Sequence, residues 1–388
     1  MKHFKHALIF TLAFTLYSIS NAQSVTELYQ NRDFKNLVKQ EKNSDKLSPD
    51  ELYMVGYAFF QLGEDNKAIE LYDKAIAKGL DDGAVYFYKG LSLFFLKKYE
   101  EAMKEIETSL QREPTNQEYL NQKALIYYYQ GDEEKALKYF EEATKLPNTY
   151  GEPFFWVAYM YHGKQEFDKA LTLYYVALDS VPQSNSYYLK AIENIGQLEY
   201  THTKNYLKSA NAYKYAITLA PNAYELYYKL MKSYNAAKEY EKGDSVFKVV
   251  QSAYKKGKLP EEDMEIKTVA VAQFEWQGQI AAVRRSLEDP KDLLDISYKV
   301  FLLNKAGDAV ERRFVVEKTL QLEEGGAKHL LCEQVKKTGG HITYPYGWST
   351  DTIPLDDLER AVKMVLDGEM TPAASSNFTG KEKKKKKK

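Results

Sequence analysis

Small and large apolar residues recur along the chain with a fixed period of 34 residues. Each repeat has a small residue, a large apolar residue four positions later, and a second small residue seven positions after the first. Offsets of four and seven lie on one face of a helix. Small residues on that face allow a neighbouring backbone to approach closely, and the large residue between them fills the remaining space. The first small residues are Ala68, Ala102, Ala136 and Ala170, the large ones Tyr72, Ile106, Phe140 and Tyr174, and the second small ones Ala75, Ser109, Ala143 and Ala177.

A second helical stretch precedes each of these segments and carries its own small-and-large pair. The small residues are Gly56, Gly90, Ala124 and Ala158, and the large residues three positions later are Phe59, Leu93, Tyr127 and Tyr161. Glycines 63, 131 and 163 fall in the expected turns, and Pro114 and Pro182 close two of the units, since proline ends a helix. The pattern therefore predicts tandem helix-turn-helix units.

This 34-residue period, with its small, large and small positions, resembles the tetratricopeptide repeat (TPR) family. Four units keep strict register from about residue 49 to residue 184. Two more extend the array to residue 257, with an insertion of five residues assigned to the turn near 200–204. The resemblance implies an all-α, right-handed superhelical solenoid. We expect degenerate helical pairs over 258–322, with turns near Gly278 and Gly307.

Other signals mark the ends of the array. Ser24-Val25-Thr26-Glu27 reads as a capping box, in which the serine hydroxyl and the glutamate carboxylate satisfy helical N–H groups, so residues 23–48 are predicted as an N-terminal capping helix region. Residues 323–370 contain glycine pairs and are predicted as an irregular C-terminal module that ends in an amphipathic helix over 354–366.

Residues 371–388 are predicted as a disordered polybasic tail. The last eight residues, Lys381 to Lys388, hold seven lysines and one glutamate. Three interpretations of this run stay open: contact with an anionic membrane or lipopolysaccharide, docking on an acidic partner, or a solvated end. The last is favoured, because a run of like charges is usually solvated.

The net charge of −1 conceals an asymmetry. The lysine tail carries +6 and the first 22 residues carry +2, which leaves −9 for residues 23–380. A nucleic-acid surface needs clustered positive charge, so an acidic body argues against a nucleic-acid partner. With 44% hydrophobic residues the chain can bury a sizeable core.

The N-terminus has the pattern of a secretory signal peptide over residues 1–22. Lys2 and Lys5 precede an apolar stretch from 7 to 19, and Ser20-Asn21-Ala22 supplies small residues for cleavage. Because 13 apolar residues fall short of the roughly 20 needed to span a bilayer, we expect cleavage and no transmembrane anchor in the mature chain. The sequence thus predicts an exported, periplasmic protein, with secretion as the alternative.

The sequence shows no recognised catalytic or metal-binding motif. Cys332 is the single cysteine, so an intramolecular disulfide is excluded. A zinc site built from His329, Cys332 and His341 would lack a fourth ligand, and we predict neither a metal site nor a cofactor. Phosphate loops, nucleophile elbows and His-Glu-x-x-His pairs are missing from the sequence, so catalytic residues are not assigned and a non-enzymatic protein is expected.

The TPR resemblance also implies a concave groove lined by the first helix of each unit. Its positions carry Tyr53, Tyr57, Phe60, Phe87, Leu91, Phe94, Phe95, Asn121, Leu125, Tyr128, Tyr129, Phe155, Tyr159 and His162. Such rings offer a large contact area at little entropic cost, although any one of them could instead fill space between units. We predict an envelope scaffold that binds a peptide or protein in this groove. The alternatives are an accessory protein that binds envelope polysaccharide through the same rings and, more weakly, an enzyme with an unrecognised C-terminal module.

Overall fold

The computed structural model describes residues 23–146, 151–259, 268–288, 298–321, 326–337, 340–350 and 354–372. The signal-peptide segment and the lysine tail lie outside these residues. The chain divides into two compact units, residues 1–188 and 189–388, which are described in turn.

The N-terminal unit opens with a short helical cap that fits the predicted start signal. It comprises α1 (Val25–Gln30), α2 (Phe34–Leu37) and a 3-10 helix (Val38–Lys46). The predicted capping box is formed: the Ser24 hydroxyl accepts the Glu27 N–H at 3.1 Å, and the Glu27 carboxylate accepts the Ser24 N–H at 2.8 Å. Leu28 and Leu37 are buried in the same apolar cluster as the first repeat.

Helical pairs follow, each with a first and a second helix. In the N-terminal unit they are α3 (Pro49–Gln61), α4 (Asp65–Ala77), α5 (Gly83–Phe95), α6 (Tyr99–Arg112), α7 (Gln117–Tyr129), α8 (Glu133–Thr144), α9 (Glu152–Gly163) and α10 (Phe167–Ser180). Helix α11 (Ser186–Thr201) runs across the division, and α12 (Tyr206–Leu219), α13 (Tyr224–Ala236) and α14 (Tyr240–Lys255) belong to the C-terminal unit. The predicted solenoid of helix-turn-helix repeats is confirmed.

The small residues allow the close helix packing that the period predicts. A Cβ atom added at Gly56 would lie 2.8 Å from the Tyr72 ring, and one at Gly90 would lie 2.8 Å from Ile106 Cδ1. Tyr72 and Ile106 are fully buried. The displaced fifth unit keeps the same geometry, since a Cβ at Gly196 would lie 2.8 Å from the Tyr213 ring. A larger residue at these glycines would push the paired helices apart.

Two turn assignments need correction. The left-handed backbone position of the turns recurs at Gly63, Lys97, Gly131 and Gln165, with φ of 75°, 59°, 84° and 63°. Gly163, predicted as a turn glycine, instead ends helix α9. The insertion near 200–204 is taken up mainly by helix α11, which has 16 residues against 13 in α3.

The chain beyond the repeats forms an antiparallel sheet followed by a helix. The strands are β1 (Thr268–Trp276), β2 (Gln279–Ser286), β3 (Tyr298–Leu303), β4 (Val310–Gln321), β5 (Gly326–Lys337) and β6 (Gly340–Thr350). They pair in sequence order as a six-stranded meander. The predicted final helix is confirmed as α15 (Leu355–Leu366).

This sheet overturns the helical pairs predicted for 258–322 and the irregular module predicted for 323–370. Gln277 and Gly278, with φ of 46° and 78°, form the two-residue turn of the β1–β2 hairpin. Left-handed conformations at both turn positions are typical of tight hairpins rather than of interhelix turns. A β-bulge between Ala270 and Ala272 breaks the alternation of apolar residues in β1, which conceals the strand pattern.

The sheet packs on the last repeat and on α15 in one apolar cluster. Val269, Val271 and Phe274 of β1 belong to the same buried cluster as Phe247 of α14 and Val362 of α15. The indole N–H of Trp276 also donates to the Asp367 carboxylate at 2.8 Å. The C-terminal unit is therefore a composite of helices and sheet with a shared core.

A charged group sits within the sheet. The Arg312 guanidinium donates from Nε and Nη2 to the two carboxylate oxygens of Glu333, at 2.7 Å and 2.9 Å. The hydroxyl of the buried Tyr346 donates to Glu333 at 2.8 Å. Burial raises the pKa of Glu333, but the two donors outweigh it and the net pKa is lowered. The triad thus joins strands β4, β5 and β6 through an ionised carboxylate.

We expect Ala136→Leu to lower the unfolding free energy by about 1 to 3 kcal/mol, because Ala136 is fully buried and a larger side chain must separate α7 from α8. Glu134→Leu places the same side chain at an exposed position of α8 and is the matched control. Urea unfolding followed by circular dichroism measures both. Equal midpoints for the two variants would show that the small-residue register does not hold the repeats together.

We expect Glu333→Gln to destabilise the C-terminal unit by about 1.5 to 3 kcal/mol at pH 7, because it leaves the Arg312 charge without its carboxylate. Since the folded pKa of Glu333 is lowered, its stabilisation is present above the usual glutamate pKa of about 4.3 and is lost as pH falls through the folded value.

Melting of wild type and variant between pH 7 and pH 3 measures this difference, with Glu275→Gln at an exposed strand position as control. A destabilisation that persists unchanged at pH 3 would contradict the assignment.

Candidate functional site: an aromatic face on the repeats

The first helices of the repeats carry the predicted groove residues on one face, and their exposure divides them into three groups. Phe95, Tyr129 and Tyr159 are exposed, at 60%, 52% and 42%. The buried group comprises Phe87, Asn121, Leu125 and Phe155. The half-buried group comprises Tyr53, Tyr57, Phe60, Leu91, Phe94, Tyr128 and His162. We call the exposed and half-buried aromatic residues among these the aromatic face.

The rings of this face connect from one repeat to the next. The ring centroids of Phe60 and Phe95 lie 6.0 Å apart, which links the first repeat to the second. Those of Phe94 and Tyr129 lie 5.2 Å apart and link the second to the third. The structure therefore brings the predicted aromatic residues into a continuous series.

The series continues into the fourth repeat. The ring centroids of Tyr128 and Tyr159 lie 6.4 Å apart. Phe155 then contacts Tyr187 of helix α11 at 4.8 Å between centroids. His162 ends the predicted set and lies against Phe167 and Tyr174. Burial lowers the pKa of His162, so its imidazole is neutral near pH 7.

Several rings that support the face escaped the sequence prediction. Tyr88 contacts Tyr57 edge to face at 4.9 Å and lies between the first and second repeats. Trp156 stacks on Phe140 at 5.6 Å with nearly parallel planes. Both follow a predicted groove position by one residue, so a wider helical face would have included them. The aromatic side chain at each of these adjacent positions was the feature of the sequence that could have identified them.

Four tyrosine hydroxyls on or beside the face are held in the protonated form. Burial raises the pKa of Tyr53, Tyr88 and Tyr128, and it raises the pKa of Tyr187 to about 12. Neutral phenols can donate a hydrogen bond and accept one. The face therefore offers apolar rings together with neutral polar groups.

The acidic residues Glu118 and Glu152 lie in the first turns of α7 and α9, the helices that carry Tyr128, Tyr129 and Tyr159. They are separated by 34 residues and so occupy the same position in consecutive repeats. The protein that surrounds Glu118, and then the nearby charge of Glu152, raise the pKa of Glu118. The repulsion indicates that the two carboxylates lie near each other.

Asn121, predicted as a groove residue, is not at the surface. Its side chain is buried, and its Oδ1 atom finds no hydrogen-bond partner among the described residues. The neighbouring Gln122 has the same property at Nε2. A ligand on the outer face would meet rings rather than these amides.

The strand register tests the zinc site that was considered for His329, Cys332 and His341. His329 and Cys332 lie on strand β5, and Cys332 is buried. His341 of β6 pairs with Lys336, which lies seven residues along β5 from His329. At about 3.3 Å per residue the two histidine positions are roughly 23 Å apart along the sheet. The register therefore places the two histidine positions too far apart for both to bind one zinc ion.

A known family matches the first part of the repeat array. Residues 53–118 and residues 117–150 each match a tetratricopeptide repeat family model. The chain is thus a helical-repeat protein, and the repeats within residues 53–150 are tetratricopeptide repeats. No curated protein matches the sequence.

Solved structures with a similar fold are tetratricopeptide repeat proteins. The C-terminal part of a TPR repeat-containing protein from Cytophaga hutchinsonii is 16% identical, with 60% of this chain and 92% of that chain covered and a TM-score of 0.44. PilF from Pseudomonas aeruginosa is 18% identical, with coverages of 52% and 91% and a TM-score of 0.45. YrrB, described as a TPR protein with an unusual peptide-binding site, is 19% identical, with coverages of 49% and 94% and a TM-score of 0.35. At these values the likeness concerns the fold alone.

In the part of the chain that the structure describes, every helix is too short or too polar to cross a bilayer.

Proposed function

We propose that this protein is a non-enzymatic scaffold of the bacterial envelope that holds a peptide or protein segment against its aromatic face. Tetratricopeptide repeats support the general role of a protein-interaction scaffold. The observation that carries the proposal for this chain is the exposure of Phe95, Tyr129 and Tyr159 within a connected series of rings.

Exposed rings at this spacing suit peptide recognition for a physical reason. Each ring removes a large apolar area from water on contact and loses little rotamer entropy. Rings that already pack against neighbours, as Tyr129 does against Phe94, are held in place before a partner arrives. Glu118 and Glu152 favour a segment with a positive charge beside its apolar residues.

Polysaccharide binding through the same rings is the second candidate, since the exposed face of Phe95 could stack on a sugar. However, neighbouring rings meet edge to face, with interplanar angles of 69° for Phe94 and Phe95 and 87° for Tyr128 and Tyr129. A series of tilted rings favours side chains that insert between them over flat sugar rings. The peptide proposal is therefore preferred.

We expect the triple variant with Phe95, Tyr129 and Tyr159 replaced by Ala to lose binding while its helical circular dichroism is retained, because all three side chains are exposed. The probes are a random dodecapeptide display library and an array of envelope glycans, applied to residues 23–388. For peptides enriched on the wild type, we expect at least about a 30-fold weaker affinity, which corresponds to one hot spot of about 2 kcal/mol.

A matched control removes three exposed apolar residues from second helices: Tyr175, Leu207 and Tyr215 to Ala. It should bind like the wild type. Equal loss in both triple variants, or enrichment on the glycan array only, would count against the peptide groove.

We also propose that the chain is exported to the periplasm. The support is the sequence pattern of Lys2 and Lys5, the apolar stretch 7–19 and the small residues before Gln23. We expect N-terminal sequencing of protein from fractionated bacterial cells to give a mature chain that begins at Gln23. Leu12→Arg, which interrupts the apolar stretch, should keep the chain in the cytoplasm with its first residues attached. An intact N-terminus on exported wild-type protein would contradict cleavage at Ala22.

A further inference from the structure

A cavity of about 760 Å³ lies in the C-terminal unit and is lined by residues that do not belong to the aromatic face. Its walls come from the turn between α11 and α12, from helices α13 and α15, and from strands β1 and β2. Two contacts fix these walls relative to one another. Asn235 Nδ2 donates to the Val271 carbonyl at 2.7 Å, and Lys238 pairs with Asp356 at 2.9 Å.

Most basic residues of the cavity already have a carboxylate partner. Besides Lys238, Lys363 pairs with Glu359 at 2.6 Å and Arg360 pairs with Asp357 at 3.0 Å. These pairs neutralise their own charges, so they leave no net attraction for a ligand.

Apart from the exposed Lys204, Lys232 of α13 is the exception on the cavity wall. It is half-buried, and among the described residues no carboxylate lies within ion-pair distance of its ammonium group. Its Nζ atom lies 5.7 Å from the centre of the Tyr200 ring. Burial, and then the charge of Lys229, lower the pKa of Lys232, which is the signature of a cation without a compensating charge. Leaving a desolvated ammonium group unpaired is costly, and an anion placed beside it would remove that cost.

Apolar and aromatic side chains share the lining with these charged groups. Tyr200 and Tyr206 meet edge to face at 5.2 Å between ring centroids, and Phe274, Leu355 and Met364 also line the space. A ligand that fits must therefore carry an apolar body as well as an anionic group.

The charge on the rim limits how negative that ligand can be. The exposed Lys204 contributes one positive charge, whereas Glu275 and Asp367 contribute negative ones. One desolvated ammonium group among carboxylates matches a single negative charge, and a dianion such as a phosphate monoester would be repelled by the acidic rim.

We propose that this cavity binds a monocarboxylate with an apolar body, with its carboxylate paired to Lys232 and its body against Tyr200, Tyr206 and Phe274. Two sources share this chemistry: a small lipophilic acid and the free C-terminus of a peptide that ends in an apolar residue. The site is independent of the aromatic face, so it does not depend on the function proposed above.

The test is isothermal titration calorimetry on residues 23–388. The small-acid arm uses 4-phenylbutyrate with 4-phenylbutan-1-ol as its neutral match and phenyl phosphate as the dianion. The peptide arm uses a hexapeptide ending in Phe, with a free carboxylate or as the amide. We expect the carboxylate form to bind at least tenfold more tightly than its neutral match in one arm or both, and the arm that binds identifies the source.

The Lys232→Gln variant should lose at least tenfold in affinity for the carboxylate, and Lys248→Gln, at an exposed position of α14, should not. If Lys232→Gln melts lower than the wild type, protection is measured on the wild type instead: the bound acid should slow acetylation of Lys232, read by mass spectrometry, and leave Lys248 unchanged. Equal binding of charged and neutral forms, tighter binding of phenyl phosphate, an unaffected Lys232→Gln variant that folds normally, or no protection would overturn the proposal.

Discussion

The close approach of paired helices at small residues is the constraint on which the repeat array depends. At Gly56 and Gly90 the facing side chain lies so near that a Cβ atom would sit 2.8 Å from it. The large residue opposite, Tyr72 or Ile106, is fully buried as a result. Because each unit contacts its neighbours through the same surface, one local rule repeated every 34 residues builds the whole array. The same rule places the predicted ring positions of the first four repeats at equivalent sites on their first helices.

The repeat array is predictable from the sequence because the pattern that specifies it is local and recurs in each unit. A small residue at a fixed offset from a large one means the same packing in each unit, and the fifth unit keeps it at Gly196 and Tyr213 despite the insertion. The C-terminal sheet was missed because its information is not repeated. The β1 bulge after Ala270 disturbs the alternation that marks a strand, and Gly278 looks like the glycine of an interhelix turn. Pairing between β4, β5 and β6 through Arg312, Glu333 and Tyr346 joins residues distant in sequence, which periodicity does not show.

The sequence predicted which residues form the candidate site together, but it did not predict which of them are exposed. Residues at one repeat position do share a face, yet Phe87 and Phe155 are buried whereas Phe95 and Tyr129 are exposed. The helical period predicts on which side of the helix a residue lies. The exposure of its side chain depends on how the next repeat packs over that side. Tyr88 and Trp156 show the converse, because residues just outside the predicted sector reach neighbouring repeats through their size.

The sheet has a structural consequence for the last repeat. A solenoid leaves an apolar surface on its terminal unit, where no further repeat stacks, and such an end needs a cap to remain soluble. Here Phe247 and Val250 of α14 are buried in a cluster with strand residues such as Val269 and with Val362 of α15. The sheet therefore covers the apolar surface of α14, as another helical pair would do elsewhere in the array. The cavity beside Lys232 is lined by α13, β1 and α15, so it lies where the end of the repeat array meets this cap.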